Sequence, residues 1–293
     1  MSQVLLGALR LPAEVIAAAG SLGFSIGMLP ATNGDPAAAA ALGAVITSGV
    51  TWRTRSGTTP RLVETPAGAV YTPGTATVGV DLALRRHARL WAAAPYAVIV
   101  NLHGAGAADF PLAAGELEGL PGVVALELDL ATPDGETGQP FAFDLTTVRR
   151  IVNDVRRVCD LPLLLKLPAE TPHLSETLRG AATLRVSAVT LGAGLPAAVP
   201  APAEWPRSRD GVRDSFARGR LVGPATFPVL LELVARVAPD APLPIVACGG
   251  IVGPVQARAY LRAGAAAVQV GSAHLANPRA AAEIQRGLDA PDA

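Results

Sequence analysis

Eight short runs of apolar, often β-branched residues recur along the 293-residue chain, each separated from the next by enough residues for a helix. The first four are "EVIAAAG" ending near Gly20, "GAVITSG" ending near Ser48, "YAVIVNL" ending near Leu102 and "VVALELD" ending at Asp129. The others are "LPLLLKL" ending near Lys166, "RVSAVTL" ending near Leu191, "LPIVACGG" ending at Gly250 and "AAVQVGS" ending near Ser272. Runs with so little alternation suit strands buried on both faces, as in a parallel sheet whose crossovers are helices. Eight strand–helix units close on themselves as a (β/α)8 TIM barrel. The expected fold is therefore an α/β single domain over residues 1–293.

In such a barrel the loops after the C-terminal strand ends carry binding and catalytic side chains. Two of these loops exceed the usual few residues: 48 to 80 after the second run, and 192 to 223 after the sixth. The later one is rich in Pro and Arg, carries Trp205 with Arg207, Arg209, Arg213, Arg218 and Arg220, and reads as a lid; a solvated excursion is the alternative.

Composition narrows the partners. The 24 basic and 24 acidic side chains cancel, and no Lys/Arg block with interleaved aromatics offers a phosphate-binding face, so nucleic acid is not expected. No apolar run approaches the roughly 20 residues of a membrane span, and "MSQVLLGALRLPAE" lacks a basic start and a cleavage site, so a cytoplasmic protein without membrane contact is expected. Cys159 and Cys248 lack metal-type spacing and read as free thiols. His87, His103, His173 and His274 are scattered, and no metal site is expected.

The most specific stretch is "PIVACGGIVGPVQARAYLRAGAAAVQVGSAHL". Gly249 and Gly250 end one strand and lead into a helix; Gly271 and Ser272 end the next strand and precede a short helical segment. Glycines let a phosphate reach backbone N–H groups, and a helix N-terminus adds a favourable dipole. The same glycines also serve tight barrel turns.

Several blocks together resemble the dihydroorotate dehydrogenase family of flavin-dependent barrels, along nearly the whole chain. "PRLVETPAG", within the loop after the second run, is especially close. "LELDLATPDG" stands where the family has Asn-x-Ser-Cys/Ser-Pro-Asn, and "LPLLLKLPAE" where it has its flavin-contacting lysine strand. "GRLVGPATFP" stands for Gly-Gly-Leu-Ser-Gly-Pro, and "IVACGGI" with "VQVGSA" for the phosphate grip. The resemblance implies FMN as cofactor, bound near Ala19, Gly20 and Ser48, with Lys166 beside the N1/O2 edge of the flavin and Gly223, Gly249, Gly250, Gly271 and Ser272 around the phosphate. A cation at Lys166 makes independent sense, since it stabilises negative charge developing on a reduced flavin. A structural lysine reaching the rim is the alternative.

The positions that hold orotate in the family depart from its pattern. Ser48 replaces a lysine, Tyr71 an asparagine, Asp129 and Asp134 two asparagines, and Leu191 with Gly192 an Asn-Thr pair. Two carboxylates would repel an anionic ligand, and the missing amides would leave its polar edges unpaired. Thr132 takes the position of the family's catalytic base, a Cys or Ser; Asp129, Asp134 or Tyr71 could manage protons, and His103 is a further pocket candidate, a structural histidine being the alternative. The expected function is an FMN-dependent oxidoreductase acting on a small molecule other than dihydroorotate, with a homodimer as its possible assembly. Two alternatives stay open: a non-catalytic barrel subunit or scaffold, and a flavin-free barrel enzyme that grips its substrate's phosphate.

Overall fold

The computed structural model describes residues 3–24, 40–205 and 215–290. The chain opens with a hairpin of β1 (Val4–Leu6) and β2 (Leu9–Leu11), then enters β3 (Val15–Ala17) and β4 (Ala44–Ile46). A long excursion follows, with β5 (Val50–Thr51), β6 (Arg61–Thr65), β7 (Gly68–Thr72) and β8 (Val78–Gly79), leading into α1 (Val80–Ala92). Next come β9 (Val98–Leu102), α2 (Asp109–Gly115), β10 (Val123–Asp129), α3 (Leu145–Arg156), β11 (Leu163–Pro168), α4 (Leu174–Thr183) and β12 (Ala188–Gly192). A second excursion, β13 (Leu195–Pro200) and β14 (Phe216–Val222), precedes α5 (Phe227–Val237). The chain then runs through β15 (Ile245–Cys248), α6 (Pro254–Arg262), β16 (Ala267–Val270), α7 (Ala273–Ala276) and α8 (Ala280–Asp289).

β3, β4, β9, β10, β11, β12, β15 and β16 pair in parallel in that order, and β16 returns to β3, closing an eight-stranded barrel. These are the eight runs read from the sequence. Because successive side chains on a strand point to opposite faces, each strand splits cleanly between two environments. Val189 and Leu191 of β12, for instance, join the large core between barrel and helices, whereas Ala188 belongs to a separate cluster inside the barrel.

The inner cluster is closed from below by the hairpin. Val4, Leu6, Leu9 and Leu11 pack with Ile16, Ile46, Ile99, Leu164 and Val246. The turn between β1 and β2 presses so close to the barrel that a Cβ on Gly7 would lie 2.7 Å from the Ser187 carbonyl oxygen, and Gly7 has φ +58°. Glycine is the residue that fits both demands. The hairpin was absent from the eight-run reading: three-residue strands carry almost no periodic signal.

The two long connections meet rather than lying separately. β13, β14, β7 and β6 form a four-stranded antiparallel sheet in that order, with Tyr71 opposite Arg220 and Ala69 opposite Val222. The expected lid is thus a ribbon locked by backbone pairing to the earlier excursion. Of its arginines, Arg207, Arg209 and Arg213 lie outside the described residues; Arg218 covers the Phe216 ring at 5.8 Å, and Arg220 forms an ion pair with Glu170.

Candidate functional site

Strand register brings the polar side chains together at the C-terminal end of the barrel. Asp129, last residue of β10, lies beside Lys166 of β11; Glu127, two residues earlier and so on the same face, lies beside Asn101 of β9. Lys166 in turn neighbours Thr190 of β12. Asp129 and Lys166, read from the sequence as site residues, are therefore adjacent and both buried.

The Asp129 carboxylate faces His103. Nε2 of His103 is 3.5 Å from Oδ2, and the Ala131 N–H donates to Oδ1 at 3.2 Å. Burial works to raise the Asp129 carboxyl, but the His103 hydrogen bond and charge, with the Lys166 charge, outweigh it and hold the group below the ordinary carboxylate range. The Tyr71 phenol is pushed up, first by burial and then by the Asp129 charge. His103 fits because position 49 is glycine: a Cβ there would sit 2.6 Å from Nε2 of the imidazole. Thr132 is tethered by its own hydroxyl, which donates to the Asp129 carbonyl oxygen at 2.7 Å. Asp134 caps its own turn, Oδ1 accepting from the Glu136 N–H at 3.0 Å, so its carboxylate serves the loop locally.

Lys166 is the centre of a network that sequence reasoning missed. Its ammonium donates to Glu127 Oε1 at 3.5 Å and Gln269 Oε1 at 3.3 Å. The Glu127 carboxylate also accepts from Asn101 Nδ2 at 2.8 Å, Thr190 Oγ1 at 3.1 Å and Gln269 Nε2 at 2.6 Å. Burial is the largest influence and disfavours the Lys166 charge, yet Glu127 first, with Cys248 and Asp129, together outweigh it and the ammonium is held above its usual range. The signal was present: a polar residue in the middle of "VIVNL", "VVALELD" or "AAVQVGS" has no solvent to face in a parallel barrel.

Around the mouth the glycines divide. Gly20, at φ +71°, stands near Ser48, whose hydroxyl oxygen would be 3.7 Å from a Cβ at position 20; Ala19 precedes it. A Cβ on Gly223 would lie 2.7 Å from the Gly68 Cα, one on Gly250 2.6 Å from the Phe227 Cβ, and one on Gly249 would run into the Leu230 side chain. For Gly223 and Gly250 close packing of the chain on itself suffices to require glycine; at Gly249 the neighbour is a movable side-chain tip and the positive φ of +146° is what favours glycine. Gly271 differs: a Cβ there would meet only the Ala18 Cβ, at 3.4 Å. Leu191, one of the two substitutions expected beside a ligand, packs in the outer core instead, and Gly192 is the residue of β12 that shares the inward face with Thr190.

Arg220 ties this rim together. Its guanidinium pairs with the Glu170 carboxylate after β11 and donates to the Ala193 and Gly194 carbonyl oxygens at 3.0 and 2.8 Å. Among the described residues there is no cluster of three or more His, Cys, Asp or Glu that could hold a metal ion, and no helix long and apolar enough to cross a membrane.

A closed parallel barrel with a buried cation, a buried carboxylate and glycine-bounded turns at the C-terminal strand ends is the architecture of a (β/α)8 enzyme. The comparison with known families specifies which: the dihydroorotate dehydrogenase family model matches residues 2–291, and the chain belongs to that family. Among curated proteins it is 33% identical over 255 residues to "Dihydroorotate dehydrogenase B (NAD(+)), catalytic subunit" of Desulforamulus reducens, covering 85% of this chain and 81% of that one. The protein of the same name from Desulforudis audaxviator is 32% identical, covering 98% of this chain and 91% of its own length. The one from Geotalea daltonii is 32% identical over 85% of this chain and 80% of its own. The protein is an oxidoreductase of the dihydroorotate dehydrogenase type.

Proposed function

We propose that the chain binds FMN and oxidises or reduces a small molecule other than dihydroorotate. The donor set suits a flavin. The turns at Gly249–Gly250 and Gly271–Ser272 offer backbone N–H groups and a hydroxyl to the phosphate, and Lys166 offers the ring's N1/O2 edge a cation. When bound, FMN supplies a two-electron acceptor; the protein's own part is to orient the substrate, exclude water and move a proton.

The observation that carries the change of substrate is the buried, ionised Asp129 carboxylate beside Lys166. An anion such as dihydroorotate would share the pocket with that charge, without the lysine, amide and hydroxyl contacts that Ser48, Tyr71 and the Leu191–Gly192 pair replace. Each lost hydrogen bond to a buried polar group costs about 1 to 3 kcal/mol, so two losses lower affinity by orders of magnitude. Proton transfer falls to Asp129, His103 and Tyr71, because the Thr132 hydroxyl already donates to main chain.

A second reading keeps dihydroorotate itself as substrate, and the names of the relatives favour it. The deciding experiment measures FMN content, then turnover of dihydroorotate with fumarate, quinone, NAD and oxygen as acceptors. Stoichiometric FMN with no turnover is the expected result. Turnover of about 1 per second or faster, an ordinary enzyme rate, establishes the second reading instead.

A further inference from the structure

Glu127 is fully buried, and its two oxygens accept from four side chains contributed by four other barrel strands: Asn101 on β9, Lys166 on β11, Thr190 on β12 and Gln269 on β16. A buried ion pair is a poor device for stability, because desolvating both charges consumes most of what their attraction gives; apolar residues of the same volume usually do as well or better. A barrel interior otherwise filled by Ile16, Ile46, Ile99, Leu164 and Val246 had that option at this level too. The network does something apolar packing cannot. It fixes the Lys166 ammonium by contacts from below, leaving the direction toward the barrel mouth, where Asp129 lies, for a ligand.

We propose that Glu127 is a positioning residue for the redox chemistry: through Lys166 it sets how strongly a bound flavin is stabilised in its reduced, anionic form. This rests on the FMN reading above. The carboxylate does two things at once. It anchors the ammonium in one place, and it cancels much of the ammonium's charge, so that the flavin meets a nearly neutral pair rather than a bare cation. The resting flavin is thereby held at a lower potential than Lys166 alone would give, which keeps the reduced cofactor a better electron donor.

The test needs no substrate. Sulfite adds to N5 of oxidised flavin and leaves negative charge on the N1/O2 edge, so its affinity reports the same electrostatics as the midpoint potential. In the FMN-loaded protein, Glu127→Gln, which keeps the shape and removes the charge, tightens sulfite binding about tenfold. The midpoint potential measured against redox dyes rises in step, by about 30 mV for a tenfold change in a two-electron equilibrium. In a Lys166→Met background the same Glu127→Gln substitution leaves both readouts unchanged, because a buried carboxylate deprived of its cation takes up a proton and no longer presents a charge for the substitution to remove. Should Glu127→Gln fail to fold, Glu127→Asp, which withdraws the carboxylate by one methylene, moves both readouts the same way by less. Flat readouts in a folded, FMN-bound Glu127 variant overturn the proposal, as does an equal shift with Lys166 already removed. Absence of FMN from the wild-type protein overturns the cofactor reading instead, and this proposal with it.

Discussion

The two ends of the barrel interior solve the same packing problem in opposite ways. At the N-terminal end the space is filled by Leu, Ile, Val and Ala, and sealed by the β1–β2 hairpin. Two residues further along the same strands, it is filled by Asn101, Glu127, Lys166, Thr190 and Gln269 in one hydrogen-bonded set. Leu164 and Lys166 share a face of β11, and Ala125 and Glu127 a face of β10, so neither strand geometry nor burial distinguishes the ends. The difference lies in what each layer faces. A dry layer backed by a hairpin contributes stability; a polar layer is costly to desolvate and holds only because its groups pair with one another, Glu127 accepting from four side chains.

That division breaks most visibly under substitution of the floor. Leu164→Ala should cost about 2–5 kcal/mol of unfolding free energy while FMN content and dissociation constant stay at wild-type values. A flavin-binding loss in the still-folded variant would show that the two ends are mechanically coupled. The next largest effect is expected at the mouth. Gly271 is the cradle glycine where a side chain has room, so Gly271→Asp should leave the thermal transition in place and weaken FMN binding roughly 100-fold, about 2.7 kcal/mol, by setting a carboxylate against the phosphate. Gly250→Asp is the less discriminating variant, because its Cβ already conflicts with Phe227. Unchanged FMN affinity in Gly271→Asp moves the phosphate elsewhere.

The smallest effect separates the ends by pH. The Asp129 carboxyl is depressed in the folded protein, so it contributes stability above the unfolded carboxyl value near 4 that is lost as the pH falls through the lower folded value. Asp129→Asn should flatten that part of the acid limb of a urea-denaturation series, whereas Leu164→Ala shifts the whole curve down without changing its slope. An acid limb that keeps its wild-type slope in Asp129→Asn means the His103 and Lys166 contacts do not favour the charged form.

Much of this contrast was readable from the chain before its fold was known. The eight barrel strands were legible because a parallel strand must be apolar on both faces, and that pattern survives in four-residue strands such as "IVAC" and "AVQV". Asp129 and Lys166 were legible because strand ends on one side of a barrel are where chemistry collects. The hairpin and the four-stranded ribbon were not: their pairing joins residues such as Tyr71 and Arg220, far apart in sequence, and alternation in "LPAAVP" is weak beside its prolines. Glu127 carries a stronger signal than the loop after it, because a charge inside "VVALELD" is a rarer event than one in a turn. Leu191 was placed at the ligand because sequence alone does not say which of two adjacent strand residues turns inward; a shift of one residue reverses the face.

The floor also ties distant parts of the chain to one another. Its members run from Val4 to Ala267, so the cavity that the hairpin fills is complete only once β16 has joined the barrel. Leu6, Leu9 and Leu11 pack in one cluster with Ile16 and Ile46 nearby in sequence and with Val246 and Ala267 far along it, and the distant contacts carry the larger loop-closure cost. Closure of β16 onto β3 therefore completes two things in the same place, the sheet and the walls of the hairpin's cavity.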